Sequence, residues 1–118
     1  MAMTTITPAK MKRNEGTVMG AFVQLTSLAE GGAIPFNGED SKLLVMVENV
    51  GTAAKTVTFF GGNGPQASGD LVASVPAGST HGFTFDSGYF KQVTGAYKGM
   101  LRFTTQTTDL KVSAVLLP

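Results

Sequence analysis

The chain has no cysteine, no tryptophan and a single histidine among its 118 residues. Without thiols, disulfides and thiolate metal sites are excluded, and one histidine cannot complete a structural zinc site within one chain. Charge is also scarce. Only 14% of residues are charged, nine basic and eight acidic, for a formal net charge of +1, against about a quarter in an average domain. A generic nucleic-acid binder carries a larger and more clustered excess of Lys and Arg, so no specific nucleic-acid partner is expected. No run reaches the ~18 apolar residues of a membrane helix, and no membrane partner is expected. At the N-terminus the basic residues follow a weakly apolar start, the reverse of a secretory signal, so the chain is expected to be unprocessed. No Asp-rich calcium loop and no Gly-x-Ser-x-Gly nucleophile elbow occurs.

What fills the space is glycine, fifteen residues of it, together with abundant threonine. Such a sparsely charged surface suits a protein that works packed against neighbours. A neutral, Thr-rich β-domain accounts for the same numbers. At this length one domain is expected, large enough to bury a core without cross-links.

The clearest pattern lies in residues 42–61. Leu43, Val45 and Val47 alternate with Leu44, Met46 and Glu48, and Val57 and Phe59 alternate with Thr56, Thr58 and Phe60. Side chains on a strand switch faces at every residue, so each run has one apolar face. Residues 51–54 have the length of a hairpin connection, and two paired strands are expected here. Residues 1–16 have little apolar content and no period, and are expected to form an extended or flexible N-terminal arm. Residues 17–26 read as a strand or, less clearly, a helix. Residues 33–36 read as a short edge segment, because Pro35 cannot sit in a central strand. Further strands are expected at residues 70–75, 80–85, 89–93, 98–105 and 109–117, separated by Gly, Pro and Asp turns. The expected fold is all-β: an antiparallel β-sandwich or small barrel of seven or eight short strands, with the arm at residues 1–16 and a single β-domain at residues 17–118.

Chemistry is thin. The loop after Phe60, with Asn63 and Pro65 among glycines, lacks the Gly-Lys-Ser/Thr ending of a phosphate loop and opens no helix. A structural loop is the simpler reading, with partner contact the alternative. His81 lies near Ser79 and Asp86, yet strand geometry does not by itself converge three such groups into a triad. Glu39 and Asp40 are read as the solvated start of a strand. No catalytic residue, cofactor or metal is expected, and the protein is read as a non-enzyme. The candidate contact residues are Lys10, Lys12 and Arg13 on the arm, where a solvated tail is the alternative, and Phe60, Asn63 and Pro65 in and beside the loop. Among the aromatic residues, Phe36, Phe60, Tyr89 and Tyr97 are those that can be exposed.

Several stretches, in order, resemble small capsid decoration (head-stabilisation) proteins of tailed bacteriophages. Residues 42–50 look like that family's Leu-Leu-Val-x-Val-Glu-Asn-x-Gly strand and turn. Thr56, Val57, Thr58 and Phe59 match the following strand, and residues 75–80 match a Val-Pro-Ala-Gly-x-Thr turn. Tyr89, Phe90, Lys91 and Gln92 resemble a short element before the penultimate strand, and residues 111–118 the terminal strand ending in Leu-Pro. The first forty residues carry no such likeness. The resemblance implies a structural virion protein, assembled in the host cytoplasm, that binds the outer surface of the assembled head through the major capsid protein. Such proteins often act as homo-oligomers, with a homotrimer or attachment at local symmetry axes among the arrangements, while others bind as monomers or at vertices, and nothing in this chain fixes which. The competing expectation is a carbohydrate- or partner-binding β-sandwich module of a phage fibre or adhesion protein.

Overall fold

The computed structural model describes residues 4–25, 30–37, 40–62, 69–85, 90–93, 95, 97–105 and 107–118. Its strands, in chain order, are β1 (Thr4–Thr5), β2 (Ala9–Lys10), β3 (Val23–Gln24), β4 (Gly32–Pro35), β5 (Leu43–Asn49), β6 (Lys55–Phe59), β7 (Leu71–Val75), β8 (Thr80–Phe83), β9 (Met100–Thr105) and β10 (Leu110–Leu116). One 3-10 turn, Asp40–Lys42, leads into β5. The first sheet has the order β1-β4-β9-β6-β7. The second has the order β2-β10-β5-β8, with β3 also pairing to β10. The architecture is a β-sandwich, and the expected all-β fold is the observed one.

Both sheets are mixed, not purely antiparallel. β1 runs parallel to β4 and β2 parallel to β10, while the other pairings are antiparallel. The parallel pairs come from the arm. Residues 4–11 are extended and cross from the first sheet to the second along one flank of the sandwich. The Ile6 amide donates to Ala33 O at 2.9 Å and the Met11 amide to Leu116 O at 2.9 Å. Between these anchors Ile6 is buried, 5% exposed, and joins the core.

Alternation built the core as expected. Leu43, Val45 and Val47 of β5, Val57 and Phe59 of β6, Leu101 and Phe103 of β9, and Leu110 and Val112 of β10 are fully buried. Phe59 sits at its centre, with its ring 5.1 Å from Phe83, 5.2 Å from Phe85 and 6.2 Å from Phe103.

The expected hairpin of residues 42–61 does not form. β5 pairs with β10 and β8 in the second sheet, whereas β6 pairs with β7 and β9 in the first. The connection at residues 50–54 is an arch between layers. Its geometry is held by Asn49, a side chain with 1% exposure. Asn49 Nδ2 donates to Ala53 O at 2.8 Å and Val75 O at 2.9 Å, and its Oδ1 accepts the Gly51 amide at 2.9 Å. These bonds satisfy a buried amide and fold the chain over the end of the sandwich, where a hairpin turn would have kept both strands in one sheet.

Three smaller expectations also change. Residues 33–36 are not an edge, since β4 lies between β1 and β9. Proline is tolerated there because β1 pairs only with Gly32 and Ala33, leaving Pro35 beyond its reach. Of residues 17–26, only Val23–Gln24 form a strand, and Val18 stands 92% exposed. Among the described part of residues 89–93 there is no strand. Gln92 instead bonds through its backbone to Gly99 (2.7 Å) and Met100 (2.9 Å).

Candidate interaction surface

The strands define two ends. At the arch end lie Asn49, Val75 and the start of β10. At the other end the arm leaves β2, the chain passes from β4 towards β5, and the segments flanking β6, β7 and β9 meet. Hydrogen bonds order this loop end. Gly61 N–H donates to Asp70 Oδ1 at 2.8 Å, Gln92 Nε2 donates to Gly61 O at 3.2 Å, and Phe36 N–H donates to Gly99 O at 3.1 Å.

Lys10 is an exposed residue of β2 and lines a shallow groove of about 180 Å³ with Pro8, Pro35, Phe36, Asn37 and Leu116. Phe36, only 7% exposed, forms part of the groove, and Lys91 Nζ stands 4.5 Å from its ring centroid. Lys12 and Arg13 follow directly and are exposed. Asn14, next along, takes the left-handed conformation (φ 62°) that a turn requires. The three basic residues are therefore displayed just beyond a strand that is anchored to β10.

Phe60 sits elsewhere on the same end. Its amide donates to Arg102 O at 2.9 Å, which extends the β6–β9 ladder by one residue. Since Phe59 points inward and is fully buried, Phe60 turns outward, half-buried, opposite Arg102. The Arg102 guanidinium lies 4.0 Å from the Tyr97 ring centroid, and its Nη2 donates to Glu30 O at 3.0 Å. Phe60 is on the first sheet, two strands from β4, while Lys10 is on the second sheet. The candidate residues thus share an end of the sandwich but do not merge into one patch. Asn63 and Pro65 lie outside the described residues.

Residues of the same end that the sequence reading passed over are Lys91 and Arg102. Lys91 faces a ring remote in sequence, Phe36, and Arg102 faces Tyr97 from just across the turn before β9. Of the rings considered exposed, Phe36 is buried, Phe60 and Tyr97 are half-buried, and Tyr89 lies outside the described residues. His81, on β8 across from Val47, has its ring 6.4 Å from Phe83. Asp86, the acid considered with it, also lies outside the described residues. Among the described residues no group of three or more His, Asp or Glu side chains is placed to hold a metal ion, and no helix is long and apolar enough to cross a membrane.

Two of the motifs behind the resemblance, the turns after β5 and after β7, meet at the opposite, arch end, whereas Gln92 of the Tyr-Phe-Lys-Gln stretch is bonded at the loop end. Besides the Asn49 side-chain bonds, Asn49 N–H donates to Ser79 O at 2.9 Å, Gly78 N–H donates to Asn49 O at 3.0 Å, and Val50 N–H donates to Asp109 O at 2.9 Å. The Val-Glu-Asn-x-Gly turn, the Val-Pro-Ala-Gly-x-Thr turn and the start of the last strand therefore form one latch. A Cβ on Gly51 would come 2.5 Å from Asp109 Oδ2, so this position has no room for a side chain. These residues hold the arch end together.

Comparison of the chain with protein-family models, with curated proteins and with solved structures gave no match. Fold and surface together define a β-sandwich with a latched end and a loop end that displays basic side chains.

Proposed function

We propose that this protein is a structural, non-enzymatic component of a tailed-phage virion that binds the outer surface of the assembled head and stabilises it. The observation that carries the reading is the ordered series of motifs, two of whose turns close on each other at the arch end. That closure leaves the loop end, with Lys10, Lys12, Arg13 and the Pro8–Phe36 groove, as the surface offered to the major capsid protein. Each contact is modest in area. Binding many copies across a shell makes such contacts additive through avidity. A carbohydrate-binding reading requires open aromatic faces, and here Lys91 stands over Phe36 and Arg102 over Tyr97.

The test is co-sedimentation with expanded capsids, paired with the thermal stability of those capsids. The expected result is saturable pelleting and a raised disruption temperature. Absence of pelleting together with unchanged capsid stability refutes the reading.

A further inference from the structure

The two flanks of the sandwich are finished differently. On one, the arm crosses both sheets and buries Ile6 beneath it. On the other, the first sheet ends in β7 and the second in β8, joined by the turn at residues 76–79. Among the described residues nothing pairs with the outer edge of β7. An edge strand presents a row of unsatisfied N–H and C=O groups, and folds usually guard it with lysine, proline, a bulge or shortness. β7 has none of these over its five residues, Leu-Val-Ala-Ser-Val, and it carries no charge. Val72 is 62% exposed on the outer face. Leu71, Ala73 and Phe83 pack against the core from this flank yet are only partly buried.

We propose that β7 pairs antiparallel with β7 of a second copy of this chain, about a two-fold axis through Ala73. The sequence is self-complementary in that register. Leu71 falls opposite Val75 of the second copy and Ala73 opposite its own equivalent, all on the inner face. Val72 falls opposite Ser74 on the outer face. Both faces of the joined sheet stay continuous, the two cores abut, and no like charges meet. The register is odd-centred, so it holds whichever alternate residues of β7 direct their N–H and C=O outward. A two-fold axis makes the contact isologous and closed, which an unguarded edge needs if it is not to polymerise. A foreign extended segment would lack this reciprocal match.

The test uses the free, full-length protein, so it stands apart from the capsid reading. The chain has no native cysteine, and any introduced thiol is unique. Directly opposed Cα atoms in an antiparallel pair lie about 4.5–5.5 Å apart, within disulfide reach. Under mild oxidation Ala73→Cys is expected to cross-link with itself. Val72→Cys and Ser74→Cys are expected to cross-link when mixed. Val72→Cys alone is not, because its own equivalents stand about 8 Å apart in this register. Sedimentation of the unmodified protein should give twice the chain mass. Ser74→Lys, at an exposed outer position, should raise the dissociation constant at least tenfold, with a melting temperature unchanged at dilutions where both proteins are monomeric. A chain that sediments as a monomer or a trimer overturns the proposal. So does a cross-linking pattern of another register, or an association indifferent to Ser74→Lys.

Discussion

At the scale of single residues, two adjacent phenylalanines have opposite fates. Phe59 is fully buried among three other rings, and Phe60 is turned outward beside Arg102. Truncating a buried Phe removes transfer energy and leaves a cavity. Phe59→Ala is therefore expected to cost about 3–5 kcal/mol, whereas Phe60→Ala should stay within about 1 kcal/mol. Urea unfolding of the two variants checks the contrast, and equal losses would contradict it. Asn49 makes a second case. It is buried, and its side-chain amide serves three backbone groups. Asn49→Ala removes those bonds and leaves the buried bond to the Val75 carbonyl unmade, at a cost of about 2–4 kcal/mol. Asn49→Asp keeps the acceptor for Gly51 and loses the donors, so it should not rescue the fold. Equilibrium denaturation of both variants provides the measurement.

At the scale of elements, the arm decides the most. Its residues looked solvated because a lone Ile6 among Thr, Pro and Lys shows no period. In the folded chain Ile6 is part of the core, and its amide is bonded to β4. Removing residues 1–11 strips the edges of β4 and β10 as well as this side chain. The deletion is expected to lower the melting temperature by more than Ile6→Ala, which alone should cost about 2–4 kcal/mol. A deletion that melts like the intact chain would show that the arm carries no stability. The arch between β5 and β6 teaches the complementary lesson. Its strands have the composition and spacing of a hairpin, yet they belong to facing sheets. Alternation states which side chains are buried. It is silent on whether a strand's next neighbour in sequence becomes its neighbour in a sheet.

At the scale of the molecule, the sparse charge makes the basic group at Lys10, Lys12 and Arg13 stand out, since it holds three of the nine basic residues. If these residues face the shell, Lys10→Glu, Lys12→Glu and Arg13→Glu combined should weaken capsid binding at least tenfold. Binding of the unmodified protein should also weaken between low and physiological salt, as the shorter Debye length screens exposed charges. Both effects are read from co-sedimentation at a series of salt concentrations. Melting temperature should be nearly unchanged, because the three side chains are exposed. Charge reversal that leaves capsid affinity intact would move the contact away from the arm.

Much of this was present in the chain itself. Period-two alternation selected the buried residues of β5, β6 and β9, and the Gly and Pro turns marked where strands stop. Those are local properties: a pleated backbone and the transfer of apolar side chains from water act on each strand separately. The absence of cysteine and the low charge likewise narrowed the chemistry before any fold was known. Tertiary structure decided the partners. It placed β5 and β6 in opposite layers, set Pro35 within a sheet, tied the arm to both sheets and, among the described residues, left the outer edge of β7 unpaired. It also brought Lys91 over Phe36. Each of these outcomes depends on backbone groups and ring faces satisfied by residues far away in the chain. The burial of Asn49 among the carbonyls of Ala53 and Val75 is the plainest instance: its side chain becomes a latch only once the two sheets have met.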